Sequence, residues 1–181
     1  MQEFDKYSDN YQDTVNQSIN FSGLDIDFFT QSKVTHLFSI IEKFKRSSNP
    51  KILDLGCGVG TTDKYVKKKY NNLYGCDISH ESIKTASTNN PEISYSSYNE
   101  LALPFEDSSF DFVFTINVMH HVAPKNWGSF LREAKRVLKT GGRLIVFEHN
   151  PYNPLTLKAV NDCEFDKDAV LLSRKTLKKM M

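Results

Sequence analysis

ILDLGCGVG, residues 52–60, places an acid near the end of an apolar run and then sets glycines at positions 56, 58 and 60. Four residues rich in Ile and Leu read as a buried strand, and the glycines that follow read as a tight turn in which backbone can approach a ligand. On either side the chain alternates. LYGCD (73–77), ISYSS (93–97), FDFVFTINV (110–118) and RLIVFE (143–148) read as four further strands. Helical spacing appears between them near Thr62–Tyr70, Ser79–Asn89 and Trp127–Leu138, with Ser79 as an N-cap and Gly141-Gly142 as the stop after the last of these helices. Phe28, Val34, Leu37, Ile41 and Phe44 predict an amphipathic helix over 27–46. Strands alternating with helices imply a Rossmann-like, doubly wound α/β fold: a mostly parallel sheet with helices on both faces.

Length and charge narrow the class. The chain has 181 residues, with 23 Lys and Arg against 22 Asp and Glu, which suits one domain and shows no broad pull toward nucleic acid or anionic lipid. The expectation is no nucleic-acid partner and no membrane partner. MQEFDKYSDNYQD lacks the basic start and apolar core of a signal peptide. Cys57, Cys76 and Cys163 show no metal-site spacing and read as buried thiols of a cytoplasmic protein. Three stretches follow: an arm or lid over 1–26, a ligand-binding domain over 27–150, and a C-terminal segment over 151–181.

In an open α/β sheet the ligand sits beyond the carboxyl ends of the strands. A dinucleotide turn reads GxGxxG, whereas this one reads GxGxG with Thr61 at the place of the third glycine. Asp54, two residues before Gly56, would repel a pyrophosphate and suit an ammonium group. Asp77 lies twenty-one residues beyond Gly56, at the end of the second strand, where a carboxylate can accept ribose hydroxyls. A nucleoside carrying an amino acid combines these demands, and S-adenosylmethionine is such a ligand. The same acid and turn disfavour a nicotinamide oxidoreductase.

DLGCGVG, the Asp77 spacing, ELALPFEDSSFDFV, NVMHHV and VLKTGGRLIVFEHNP together resemble the class I S-adenosylmethionine-dependent methyltransferases over about residues 50–150. The EHNPYNPLT tail resembles members that act on small molecules. The resemblance implies that Asp54, Gly56, Cys57 and Gly58 hold the methionine end of the cofactor, and that Asp77 and Ile78 meet the ribose and adenine. The position that often carries an acid near the adenine amino group falls on Asn99, with Glu100 and Leu101 beside it, a departure that exchanges a charged contact for an amide. Asn117 matches a backbone contact to the methionine and sulfonium. Tyr11 and Tyr7 could fold over the cofactor, or be surface tyrosines of a frayed helix.

His121 and His149 are candidate proton acceptors near the methyl acceptor; as the alternative, the histidines after the fourth strand are a half-buried helix entrance. A metal is not expected, because adjacent histidines on a turn should diverge and no acid completes a set. Glu148–Tyr152 shares Asn-Pro-Tyr with amino-group methylases of DNA bases, but lacks their second proline and falls one strand late. The family's terminal strand hairpin is not recognisable; AVLLS (169–173) is at most a short strand. Two readings remain: an enzyme acting on a small-molecule acceptor, or a non-catalytic cofactor-binding module whose sheet edge a homodimer mate or other partner completes.

Overall fold

The computed structural model describes residues 11–99 and 102–181. Five parallel strands form one sheet in the order β3-β2-β1-β4-β5. They are β1 (Ile52–Leu55), β2 (Leu73–Asp77), β3 (Ser94–Ser97), β4 (Phe110–Ile116) and β5 (Leu138–Phe147). β1 lies at the centre and is buried throughout, which is why ILDL can be almost wholly apolar. β3 lies at an edge and is partly exposed, and its SYSS sequence is correspondingly polar.

Side chains alternate across the sheet. Ile52, Phe112 and Phe114 pack on one face with Val34, Leu37 and Ile41 of α2 (Ile26–Phe44). Leu53, Leu55 and Val113 pack on the other with Ala134 of α5 (Trp127–Arg136). The remaining helices are α1 (Tyr11–Ile19), α3 (Asp63–Val66), α4 (His80–Asn89), α6 (Pro154–Asp162) and α7 (Arg174–Met180). Ser79 caps α4 by accepting the Ser82 amide at 3.1 Å, as its sequence position predicts.

Three expectations need correction. Gly141-Gly142 does not stop α5; that helix ends at Arg136, and both glycines lie inside β5. They serve an irregularity: between the pairs Phe110↔Leu138 and Phe112↔Arg143 β5 spends more residues than β4. Gly141 has φ +78°, and a Cβ on Gly142 would stand 3.0 Å from the Asp111 carbonyl oxygen, so side chains are excluded there. The helix expected over 62–70 is a single α turn continued by tighter bonds, Lys68 N–H to Tyr65 O and Lys69 N–H to Val66 O. AVLLS forms no strand. Its Val170 amide instead donates to His120 O at 2.8 Å, and Leu172 packs on Met119, Trp127 and Leu131. Leu177 and Met180 pack against the same cluster. Cys57, Cys76 and Cys163 are free and buried. No helix of the described residues is long and apolar enough to cross a membrane.

Candidate functional site

The glycine turn after β1 is fixed by β2. Gly56 N–H and Cys57 N–H both donate to Cys76 O, at 2.8 and 3.1 Å. Asp77, ending β2, accepts Gly58 N–H at 2.9 Å through one carboxylate oxygen and Ser79 N–H at 2.9 Å through the other. The carboxylate expected to face a ribose thus also shapes the turn. Gly56, Gly58 and Gly60 all have positive φ, yet for different neighbourhoods. A Cβ on Gly58 would meet nothing within 4 Å, whereas one on Gly60 would lie 2.6 Å from Asn90 Nδ2 and 2.9 Å from the Tyr95 hydroxyl. Gly58 is open toward the ligand space; Gly60 is closed by packing.

Beneath the turn lies a pair of buried carboxylates, Asp54 at 2% exposure and Asp63 at 0%. Tyr95 donates to Asp63 Oδ2 at 2.8 Å, while Asn90 donates to Tyr95 Oη and to Gly60 O, both at 3.2 Å. Asp54 Oδ1 has no hydrogen-bond partner among the described residues. Burial, and then the charge of Asp63, push Asp54 well above the usual carboxylate range. Burial raises Asp63 to about 6 against the lowering effect of the Tyr95 hydroxyl. Such a pair retains a proton in mildly acid solution and favours an ammonium ligand that would let it ionise. An amino-acid cation fits this set; a diphosphate does not.

A cavity of about 960 Å³ opens beyond the strand ends, at the upper end of the range for small-ligand sites. Tyr11, Asp54, Gly56, Cys57, Gly58, Asp77, Ile78, Asn117, His121 and His149 all line it. Asn99 is exposed and is not part of the lining, although Tyr98, Ala102 and Leu103 are. Glu100, Leu101 and Tyr7 lie outside the described residues. Asn117 takes φ +57° and donates its amide to Phe147 O at 2.9 Å, tying β4 to β5 at the rim. Tyr11 stacks on Phe165 with ring centroids 5.4 Å apart, so the start of α1 covers the cavity.

The histidines do not diverge as the sequence predicts. Met119–His121 forms a 3-10 turn that places the rings of His120 and His121 4.0 Å apart by centroid. Glu148 Oε1 accepts the amides of Val118 and Met119 at 3.0 and 2.7 Å. Its Oε2 meets His120 Nδ1 at 2.6 Å. The Trp127 indole donates to the carbonyls of Met119 and Val122, at 2.9 and 2.8 Å, bracketing the same turn. Asp166 Oδ1 lies 3.2 Å from His121 Nε2 and 3.5 Å from His120 Nε2. Burial opposes charge on His120, but Asp166 and Glu148 raise it to about 9. His149, whose ring centroid is 4.8 Å from that of His120, is pushed down to about 4 by burial and then by the charges of His120 and Lys33.

Sequence reasoning missed Asp63, Lys33 and Asp166. Asp63 reads as an ordinary acid in the first turn of a helix, and Lys33 as a polar position on α2. Burial pushes the Lys33 ammonium down to about 8, with Glu148 opposing. Asp166 reaches the site from forty-five residues beyond His121 along the chain, so no local spacing marks it.

Residues 53–146 match the family model described as a methyltransferase domain. An uncharacterised protein of Methanocaldococcus jannaschii is 32% identical over 143 residues, 79% of this chain and 60% of its own. Ajmaline N-methyltransferase of Rauvolfia serpentina is 33% identical over 105 residues, 54% of this chain and 35% of its own. The chain therefore spans between about a third and three fifths of these relatives' length. Among solved structures, a SAM-dependent methyltransferase from Methanosarcina mazei superposes with a TM-score of 0.64 at 26% identity, covering 78% of this chain and 81% of its own.

Proposed function

The chain belongs to the class I S-adenosylmethionine-dependent methyltransferases, and from that premise we propose that it transfers a methyl group to an oxygen, nitrogen or carbon atom of a small-molecule acceptor. The observation that carries the reading is the buried Asp54 carboxylate, its Oδ1 without a hydrogen-bond partner among the described residues, beneath an open glycine turn in a cavity large enough for cofactor and acceptor together. The similarity to an ajmaline N-methyltransferase supports the acceptor class.

In this reading Asp54 receives the ammonium of the amino-acid tail, and the Gly56–Gly58 backbone lies against it. Asp77 accepts from the ribose while keeping the turn in shape, and Ile78 packs on the adenine. S-Adenosylmethionine supplies an activated methyl group together with its own leaving group. The chain contributes alignment and exclusion of water. Tyr11 and the first turn of α1 close the outer side.

His149 is the better placed of the two candidate acid–base residues. A histidine held near 4 is uncharged at neutral pH, so it can accept a hydrogen bond from an acceptor hydroxyl or amine and aim its lone pair. At that basicity it orients the acceptor more than it removes a proton. His121 Nε2 faces Asp166 Oδ1 at 3.2 Å. Lys33, near 8, suits an acceptor that carries an anionic group.

Incubating the protein with methyl-labelled cofactor and a panel of amines, phenols and carboxylic acids tests the proposal. Transfer to a small molecule, reduced at least tenfold in His149→Ala, is the expected result. Binding of S-adenosylhomocysteine with no transfer to any acceptor, in a chain that self-associates or captures a mate along β5, would favour the non-catalytic module.

A further inference from the structure

We propose that His120 Nε2, His121 Nε2 and Asp166 Oδ1 form a binding site for a divalent transition-metal ion in the wall of the cavity, with Glu148 orienting His120 from behind. The three donor atoms lie within 4.8 Å of one another. Asp166 Oδ1 is 3.2 Å from one imidazole nitrogen and 3.5 Å from the other. Two nitrogen or oxygen ligands bound at about 2.0–2.1 Å to one tetrahedral ion stand roughly 3.3 Å apart.

The alternative, an ion pair between His120 and Asp166, is poorly made. His120 is 1% and Asp166 8% exposed, yet His120 Nε2 and Asp166 Oδ1 stand 3.5 Å apart, outside good hydrogen-bond geometry. Two buried polar atoms that meet only at such a distance are unusual in a packed structure. A shared cation would satisfy both.

The surroundings are those of a supported site. The 2.6 Å bond that Glu148 Oε2 accepts from His120 Nδ1–H fixes the ring and leaves Nε2 as the nitrogen facing Asp166, the carboxylate–histidine pattern that orients metal ligands. The backbone of the histidine turn is held by Glu148 Oε1 from β5's end, by the Trp127 indole from α5, and by the Val170 amide from the C-terminal segment. Two imidazoles and one carboxylate suit zinc and its neighbours in the first transition row better than magnesium or calcium. All three ligands also line the cavity, so a remaining coordination position opens onto it. If the methyl-transfer reading holds, that position would take an oxygen or nitrogen of the acceptor and leave His149 to orient it.

The test uses the full chain, stripped with chelator and titrated with Zn²⁺ by calorimetry and with Co²⁺ by visible absorption. One ion per chain is expected, with Co²⁺ bands of nitrogen and oxygen ligation and no thiolate charge-transfer band. His121→Gln and Asp166→Asn should each weaken Zn²⁺ at least 100-fold, and Glu148→Gln about 10–100-fold. His36→Ala, at an exposed histidine of α2, should change nothing. Affinity for S-adenosylhomocysteine, measured on the same samples, reports that each variant is folded and stands or falls separately from the metal. Should Asp166→Asn fail to fold, His121→Gln and the wild-type Co²⁺ spectrum decide. Absence of one-to-one binding, a thiolate spectrum, or undiminished binding by His121→Gln would overturn the proposal.

Discussion

A methyl group added at Gly58 and at Gly60 probes two separate demands. At Gly58 it meets open space, so the cost is the left-handed backbone alone, about 1–2 kcal/mol; ligand affinity should suffer more than stability. At Gly60 it collides with Asn90 and Tyr95, adding overpacking to strain, and Gly60→Ala should lose about 2–4 kcal/mol. Urea midpoints and calorimetric affinities of both variants check the crossing. The Asp54–Asp63 pair gives a pH signature. Asp63 is raised to about 6 and Asp54 is also raised, so the folded chain holds a proton that the unfolded chain releases near pH 4. The stabilisation from that proton is complete below about pH 4 and is lost as pH rises through about 6. A cationic ligand prefers the ionised pair. Affinity for S-adenosylhomocysteine should therefore rise from pH 5 to 7, with proton release visible as a dependence of binding heat on buffer. A flat profile would remove the pair from the binding account.

At the scale of elements, the Trp127 indole couples α5 to the histidine turn through two carbonyl bonds. Trp127→Phe keeps the ring's packing but leaves those carbonyls without this donor, and should cost about 1–3 kcal/mol in thermal or urea unfolding. Loss of less than 0.5 kcal/mol, on the order of an ordinary surface change, would show that the turn is held without it. The strands were legible because period and apolar content are local properties: ILDL, LYGCD and FDFVFTI stand where their sequences place them. The Gly141-Gly142 pair misled because a helix stop and a bulge ask the same freedom of a glycine, and only the pairing of β4 with β5 distinguishes them. That Asp54, Gly58 and Asp77 gather around one turn was legible through their spacing. Asp63, Lys33 and Asp166 were not, since their environment comes from burial and from segments remote in sequence.

At the scale of the molecule, the cavity is floored by the sheet ends and covered by α1, α6 and Phe165. α1 and α6 touch each other, but α1 shares few contacts with the sheet, so this cover is the part that a ligand should steady most. Amide hydrogen exchange over 11–22 is expected to slow on addition of S-adenosylhomocysteine by a larger factor than in β1 or β4; equal or no slowing would separate the cover from the site. In the proposed function, Asp54 beside the glycine turn selects the charged amino-acid tail of an adenosine ligand. The direct measurement is calorimetric titration of wild type and Asp54→Asn with S-adenosylhomocysteine and with methylthioadenosine, which lacks that tail. Wild type should prefer the former, and Asp54→Asn should lose about 10–100-fold of that preference, the worth of one charge-assisted hydrogen bond, with methylthioadenosine affinity nearly unchanged. Equal losses for both ligands, or no loss for either, would contradict the account.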